Sequence, residues 1–250
     1  MIQLVVNELI KIFKHVGTYL MIGILVIAVI ASALLMKFSG SGEVPLQANW
    51  QEELRQENAN LYQQMEEIQV RAPSMEHHLK KRIAINEYRI ENNLAPETTM
   101  TLWRFIQESN MLISLVGLFS IVIAAGIVAN EFQWGTIKLL LIRPIKRSKI
   151  LLSKYIAVLV FSASMLVLLF VTAAIVGVLT FGLGDGGYIY LAYVDGVVQE
   201  THIFGHLLNV FALSSVDMLM LTTMAFMIST VFKTSSLAVG LSIFLLFMGD

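Results

Sequence analysis

Few residues in this sequence have types and spacing suited to chemistry, and two histidines are the first of them. His202 and His206 lie four positions apart, a spacing that can place two imidazoles on one helix face for a metal ion. Asp195 and Glu200 are close in sequence, but no H-E-x-x-H motif supplies a general base. A third ligand is also missing from the motif. We therefore predict no metal site, and we expect both histidines to lie near a membrane interface.

Motifs for covalent or nucleotide chemistry are absent from the sequence. The chain has no cysteine, which excludes disulfides, thiolate metal sites and cysteine nucleophiles within it. It has neither the G-x-S-x-G elbow of hydrolases nor a G-x-x-x-x-G-K-[ST] phosphate loop. The pair Gly135-Thr136 lacks both the spaced glycine and the lysine before threonine. We expect no enzymatic activity in this chain itself.

Asp217 is an acidic residue inside a long apolar run. Burying an acid in a membrane span is costly, so such a residue usually faces a bundle interior or water. One interpretation makes Asp217 part of a substrate path or a proton-coupled site. The other places it near the outer end of a span, or pairs it with Ser214, Ser215 or Asn209. The sequence leaves both open.

The composition indicates a membrane protein. Apolar residues make up 56% of the 250 and charged residues 14%, against about 45–50% and about 25% in soluble domains. This excludes intrinsic disorder, which needs low hydrophobicity, and it disfavours a soluble enzyme. The formal net charge of −1 gives no basic surface for nucleic acid.

Four apolar runs are long enough to cross about 30 Å of hydrocarbon, and a fifth begins near position 236. The four are residues 16–36, 111–129, 151–181 and 207–231. The first could instead be a signal peptide, because Ala31-Ser32-Ala33 resembles a cleavage site. Its apolar stretch is longer than a signal core, which favours an uncleaved span.

The distribution of Lys and Arg predicts the orientation of the spans. Residues 1–15 carry two, residues 130–154 carry six, and residues 232–235 carry one, whereas residues 182–206 carry none. We therefore predict that the N-terminus and the segments 130–154 and 232–235 face the cytoplasm. Residues 37–110 and 182–206 then face outside, and the glycine-rich start of the latter is interpreted as a turn.

The long segment 37–110 has the pattern of a folded insertion. Apolar residues recur at helical spacing on both sides of Pro73, which cannot continue a helix interior. They are Leu54, Leu61, Met65 and Ile68, then Met75, Leu79, Ile83, Ile90 and Leu94. The pattern predicts two amphipathic helices in an external hairpin, with one long kinked helix as the alternative.

The segment from Asn130 to Tyr155 carries the most information about function. Asn130 is a good N-cap and Glu131 suits a first helical turn, so we predict a short interfacial helix over about 130–142. Pro144 ends it, and a basic cluster follows at the depth of lipid phosphates. The segment could be a topology anchor, as inner loops of multispan proteins are. It could also be a lever that passes a push from a cytoplasmic partner into the spans.

This segment resembles the signature of ABC-2 type ABC transporter permeases. That signature has an acidic residue, a Gly-Thr pair, a basic residue, an apolar run ending at proline, and a basic cluster. The matching positions here are Glu131, Gly135-Thr136, Lys138, Pro144 and Arg147, with Lys154 near the start of the third span. The topology and the amphipathic opening at residues 7–14 are also similar, and the long insertion resembles that of bacterial members with a long first extracellular loop.

The resemblance implies an all-α polytopic membrane protein, a six-span ABC-2 (type V exporter-like) permease with five spans visible. Residues 1–36 would hold a cytoplasmic amphipathic helix and span 1, and 37–110 the extracellular helical hairpin. Residues 111–250 would hold spans 2 to 5, with the coupling helix at about 130–142. A fifth span that ends outside has no return, so a truncated chain is an open interpretation.

The resemblance also implies a function. The chain would be the permease subunit of an ATP-driven exporter in a bacterial plasma membrane, moving a hydrophobic or amphipathic cargo such as a peptide antibiotic, a lipid or a drug. Its partners would be two ABC ATPase subunits, a second permease that is identical or paralogous, and membrane lipids, but no nucleic acid. The chain would hold no cofactor, since ATP and Mg²⁺ would bind the partner ATPase.

The resemblance assigns two groups of residues to these roles. ATPase coupling falls to Glu131, Phe132, Trp134, Gly135, Thr136 and Lys138, and the inner-interface basic cluster is Arg143, Lys146, Arg147 and Lys149. The competing hypothesis is a membrane sensor or envelope-binding protein whose external hairpin binds a ligand. An intramembrane hydrolase is a third hypothesis, but its motifs are missing.

Overall fold

The computed structural model describes residues 1–38, 49–68, 73–96, 100–135, 146–182, 189–194, 196–232 and 234–248. In these ranges the helices are α1 (Ile2–Lys14), α2 (Val16–Phe38), α3 (Trp50–Ile68), α4 (Pro73–Glu91), α5 (Leu102–Glu108), α6 (Ile113–Gln133), α7 (Arg147–Phe181), α8 (Ile203–Phe232) and α9 (Ser235–Met248). A 3-10 turn, Ser109–Leu112, joins α5 to α6, and two strands, β1 (Ile189–Val194) and β2 (Val197–His202), precede α8.

Four helical stretches of the described chain are long and apolar enough to cross a membrane. They are Val16–Phe38, Leu102–Gln133, Arg147–Phe181 and Ile203–Phe232. The four complete spans predicted from the sequence are therefore confirmed, although the helices extend past the predicted ends. The apolar run after position 236 forms the shorter helix α9. The protein is thus a mostly helical, multi-pass membrane protein.

The chain divides into two compact units. Unit 1 comprises Met1–Ala33, Ile106–Val176 and Asn209–Asp250. Small and branched residues of α6, α7 and α8 form its core, with Ile243 of α9 packed against them. The buried members are Ile121, Ala124, Val128, Val158, Ala225 and Phe226. Alanines at such contacts let helix backbones approach closely, which is how helices associate inside a bilayer.

Hydroxyl groups join the helices of unit 1. The buried Ser229 hydroxyl of α8 donates to the Ala125 carbonyl of α6 at 2.6 Å and accepts from the Ala129 amide at 3.3 Å. On α7, the Tyr155 hydroxyl lies 3.0 Å from that of Thr223 on α8. Each such bond in a membrane protein contributes only about 0.6 kcal/mol on average, so these contacts mainly fix the helix register.

Unit 2 comprises Leu34–Phe105 and Gly177–Leu208. Helices α3 and α4 pair within it through the buried side chains of Leu54, Leu61 and Ile83. The Asn86 amide donates to the Asn58 side-chain oxygen at 2.9 Å, and both side chains are buried. The two helices predicted on either side of the proline are therefore confirmed, and α4 begins at Pro73 because proline suits the first turn of a helix.

A β-hairpin departs from the all-α expectation. Strands β1 and β2 pair antiparallel from Ile189 opposite His202 to Val194 opposite Val197. The sequence between the strands is Asp-Gly, with Gly196 at a φ of +84°, and Asp-Gly is a favoured two-residue hairpin turn. No strand was predicted here from the sequence, although the Tyr, Ile and Val of β1 favour one. The turn that was predicted, at the glycine-rich start of 182–206, lies almost entirely outside the described residues.

The β-hairpin, formed by β1 and β2, packs on α4 within unit 2. The Tyr88 hydroxyl donates to a Glu200 carboxylate oxygen at 3.2 Å, and the His77 and Tyr193 rings lie 5.7 Å apart. The helical insertion is therefore one part of a larger unit and has contacts beyond its own two helices.

Candidate functional site

Four charged side chains form a cluster in unit 1 where α1, α6 and α7 meet. The Lys154 ammonium donates to Glu8 at 2.9 Å and to Glu131 at 2.6 Å. Lys11 donates to the other Glu8 oxygen at 2.9 Å and lies 4.0 Å from Glu131. The Lys154 side chain is only 3% exposed. We call these residues, Glu8, Lys11, Glu131 and Lys154, the ion cluster.

Three helices position the ion cluster: α1 carries Glu8 and Lys11, α6 carries Glu131, and α7 carries Lys154. Glu8 and Ile12 are buried one helical turn apart, so a single face of α1 carries them inward. Glu131 lies in the last turn of α6, and Lys154 lies two turns into α7. The Phe13 and Phe161 rings, 5.8 Å apart, add an apolar contact between α1 and α7.

The bend after α1 is also held by hydrogen bonds. His15 is extended, with φ −72° and ψ 132°, and it separates α1 from α2. The Thr18 hydroxyl donates to the Ile12 carbonyl, and the Gly17 amide donates to the His15 ring nitrogen Nδ1. These bonds satisfy groups that a helix end otherwise leaves without partners. The bend therefore fixes the direction of α1 relative to α2, the first span.

The electrostatics of the ion cluster favour the charged form of Glu8. Burial on its own raises the pKa of the Glu8 carboxyl, but the charges and hydrogen bonds of Lys154 and Lys11 outweigh burial and lower that pKa. Two carboxylates and two ammonium groups give no net charge. Removing one partner from such a cluster leaves a buried charge uncompensated, which costs about 3–5 kcal/mol. The ion cluster has no nucleophile next to a general base. Its role is therefore structural: it holds α1, α6 and α7 together.

The predicted helix start at Asn130 was wrong. Asn130, Glu131 and Phe132 continue α6 to its end at Gln133, and Trp134 is the C-cap. Glu131 therefore lies at the negative end of the helix dipole, which disfavours its charge. Lys154 supplies the compensation, and this is the physical reason that a carboxylate is tolerated there.

The remaining coupling residues lie around the end of α6. Trp134 is 69% exposed and Phe132 is 37% exposed. Gly135 has a φ of +69°, a left-handed conformation that glycine adopts without strain. Thr136, Lys138 and Arg143 lie outside the described residues, as does most of the predicted helix at 130–142. Lys146, Arg147 and Lys149 are exposed at the start of α7.

Asp217 lies at the middle of α8 and its side chain is exposed. It makes no hydrogen bond or ion pair with the part of the chain that the structure describes, and the nearby Ser215 hydroxyl donates to the Ala212 carbonyl. The predicted pairing with Ser214, Ser215 or Asn209 is therefore not found among the described residues. A central, exposed acid in a membrane helix requires water or a partner chain.

The two histidines do not share a helix face. His202 ends β2, whereas His206 lies in the first turns of α8. The His206 ring stacks on Tyr190 with a centroid distance of 3.5 Å and an interplanar angle of 10°. The i, i+4 interpretation was wrong because the change from strand to helix falls between them.

Sequence reasoning missed the ion cluster as a cluster. It assigned Lys11 to orientation, Lys154 to a span start and Glu131 to coupling, and it gave Glu8 no role. Two signals were available: Lys154 falls inside an apolar run, and Glu8 sits in an apolar helix. An ionisable residue in such a place needs a partner, although the partner lies 146 positions away in the chain.

Comparisons with known proteins place the chain in a family. Residues 79–249 match the family model described as "Protein of unknown function (DUF2705)". The chain is 46% identical over 251 residues to the "Uncharacterized protein YhcI" of Bacillus subtilis (strain 168), covering 100% of this chain and 78% of that protein. It is 33% identical over 136 residues to the "Uncharacterized membrane protein YdbK" of the same organism, covering 53% of this chain and 50% of that one. No solved structure matches significantly. The chain belongs to the DUF2705 family.

Proposed function

We propose that this chain, a member of the DUF2705 family, is an ABC-2 type permease subunit of an ATP-driven exporter. The ion cluster is the observation that carries the proposal. Glu131 lies in the last turn of α6, at the start of the predicted coupling segment, and Lys154 lies two turns into α7, after that segment. A 2.6 Å ion pair therefore joins the two helices that flank that segment.

The ion pair between α6 and α7 gives the predicted coupling segment a mechanical role. Because Lys154 also holds Glu8, a displacement of the segment acts on α1, α6 and α7 together. Buried ion pairs resist separation, since parting them exposes uncompensated charge. A plain topology anchor needs basic residues at this point but has no need for an ion cluster centred on a buried lysine.

Exposed residues beside the ion cluster suit a protein partner. Trp134 projects at the end of α6, and Lys146, Arg147 and Lys149 are exposed at the start of α7. Tryptophan and arginine are enriched among the residues that dominate binding energy at protein interfaces. We assign the Trp134 end of this surface to the ATPase, which binds ATP and Mg²⁺ in its own chain.

The proposed cycle follows from these assignments. ATP closes a pair of ATPase subunits at the cytoplasmic side, the two coupling segments move together, and the spans of two permease subunits change from one access state to the other. ATP must bind the two states with different affinity for this to occur. The cargo is hydrophobic or amphipathic, and Asp217 faces either its path or the second permease subunit.

Co-purification tests this proposal. The tagged chain is isolated from its source cells in mild detergent, and the associated proteins are identified by mass spectrometry and assayed for ATP hydrolysis. The proposal predicts a stoichiometric ATPase that is lost from the Trp134→Ala chain and kept by the Lys37→Gln chain. Recovery of folded chain without any ATPase, in several detergents, would contradict it.

A sensor is the second candidate, and a groove in unit 2 favours it. The groove lies between α3 and α4, has a volume of about 450 Å³, and is lined by residues that include Arg55, Tyr62, Glu87 and Glu91. Both charge signs line it, so a zwitterionic or amphipathic ligand would fit. If the chain is a sensor, Glu87→Gln abolishes ligand response while no ATPase co-purifies.

A further inference from the structure

A groove between α7 and α8 in unit 1 has the features of a lipid site. It has a volume of about 410 Å³, and its lining comprises Ser148, Leu151, Leu152, Tyr155, Thr223, Phe226 and Met227. Phe226 is buried at the base, whereas Leu152 and Met227 are exposed at the rims. The hydroxyls of Tyr155 and Thr223 bond to each other, which leaves a largely apolar trough.

The two ends of the groove differ in chemistry. Ser148 lies in the first turn of α7, and Tyr155 lies two turns further into the helix. Three exposed cations lie next to Ser148 in the sequence: Lys146, Arg147 and Lys149. The groove is thus hydrocarbon-like along its length and cationic at one end. A phospholipid with an acyl chain and a negative headgroup has the complementary arrangement.

We propose that this groove binds an anionic glycerophospholipid, with one acyl chain between α7 and α8 and the phosphate at Ser148, Arg147 and Lys149. Basic pockets between membrane helices on the cytoplasmic side are typical binding places for anionic headgroups. A protein partner is the weaker occupant, because the trough lies along two membrane-spanning helices. The proposal does not depend on ATPase coupling, so the two can fail separately.

The lipid would occupy a mechanically sensitive place. Tyr155 follows Lys154 directly, so one side of α7 holds the ion cluster while the neighbouring position lines the groove. An acyl chain in the groove would therefore bear on the helix that Glu8 and Glu131 hold. Bound lipid would stabilise the packing of α7 against α8.

The test measures lipid binding by the full delipidated chain. Native mass spectrometry follows titration with phosphatidylglycerol, with phosphatidylcholine, and with glycerol 3-phosphate as the headgroup without chains. We expect phosphatidylglycerol to bind and the other two to bind far more weakly. For Arg147→Gln/Lys149→Gln we expect an affinity loss of about thirtyfold, from the attraction per basic residue.

Two further variants make the outcome decisive. Met227→Trp fills the groove from its exposed rim and should abolish binding while leaving the cations in place. Lys37→Gln removes an exposed interfacial lysine at the end of α2 and should leave binding unchanged. Equal binding of phosphatidylcholine, equal binding of glycerol 3-phosphate, or full binding by Met227→Trp would each overturn the proposal. A thermal unfolding scan confirms that every variant is folded.

Discussion

The Lys154 ammonium donates to a Glu131 carboxylate oxygen at 2.6 Å, and this bond joins the end of α6 to the start of α7. Lys154 also donates to Glu8 at 2.9 Å, which adds α1 to the same point. In an apolar bundle such bonds are costly to break. The two bonds therefore join three helices that are distant in sequence.

Removing the central cation should destabilise unit 1. Lys154→Met leaves two carboxylates close together with only Lys11 to compensate, so we expect a loss of about 3–5 kcal/mol in unfolding free energy. Lys154→Met/Glu131→Gln removes the excess negative charge and should recover most of the loss. Thermal unfolding in detergent measures both. An unchanged Lys154→Met protein would show that the ion cluster contributes nothing to stability.

Acidic pH should weaken the ion cluster by protonating the Glu8 carboxylate. The pKa of Glu8 lies below its ordinary value of 4.5, because Lys154 and Lys11 favour the charged form. Its stabilising contribution is therefore present above about pH 4.5 and is lost as the pH falls through the lower folded pKa. We expect Glu8→Gln to flatten the unfolding temperature profile in this acidic window. The exposed Glu53→Gln should keep the wild-type profile, and the same profile in both variants would contradict the assignment.

The left-handed residue after α6 should matter for coupling more than for folding. Gly135→Ala puts a side chain at a φ of +69°, which costs about 1–2 kcal/mol and shifts the chain direction after Trp134. If the proposed coupling role is right, ATPase stimulation falls sharply while the unfolding temperature falls by only several degrees. Gly23→Ala is the matched control, because an added Cβ there meets nothing within 4 Å. Full stimulation by Gly135→Ala would mean that this conformation is irrelevant to the partner.

Asp217 should act between chains. It is exposed at the centre of α8, so Asp217→Leu should leave the unfolding free energy of the isolated chain within about 0.5 kcal/mol. We expect the same variant to reduce assembly with a second permease subunit, or to reduce transport. Light scattering in detergent and transport in vesicles measure these effects. A large loss of stability with normal assembly would indicate a partner for Asp217 within its own chain.

The buried amide pair should hold the α3–α4 hairpin. Asn58→Leu leaves the Asn86 amide buried without its acceptor, and we expect a cost of about 1–3 kcal/mol. Asn58→Leu/Asn86→Leu removes both polar groups and should be close to wild type. Proteolysis of the hairpin reports its local stability. If the double variant is cleaved as readily as Asn58→Leu, the unpaired Asn86 amide is not the cause of the lost stability.

The spans were predictable and the ion cluster was not, for a physical reason. Bilayer thickness fixes the length of an apolar helix, so a run such as 16–36 can be recognised as a membrane span from the sequence alone. The ion cluster joins Glu8 to Lys154 across 146 positions, and only packing brings them together. The end of α6 was misplaced because an asparagine before an acid also suits a helix start, whereas Asp195-Gly196 was a usable hairpin signal.

We propose that the surface beside the ion cluster contacts an ATPase, and site-specific cross-linking tests this contact most directly. A photoreactive phenylalanine analogue is placed at the position of Trp134 in source cells, and cross-linked partners are identified by mass spectrometry. The control places it at the exposed Met111, in the 3-10 turn before the opposite end of α6. We predict a nucleotide-binding ATPase cross-linked from position 134 and none from position 111. A folded chain that cross-links no ATPase from position 134, or cross-links it equally from position 111, would contradict the account.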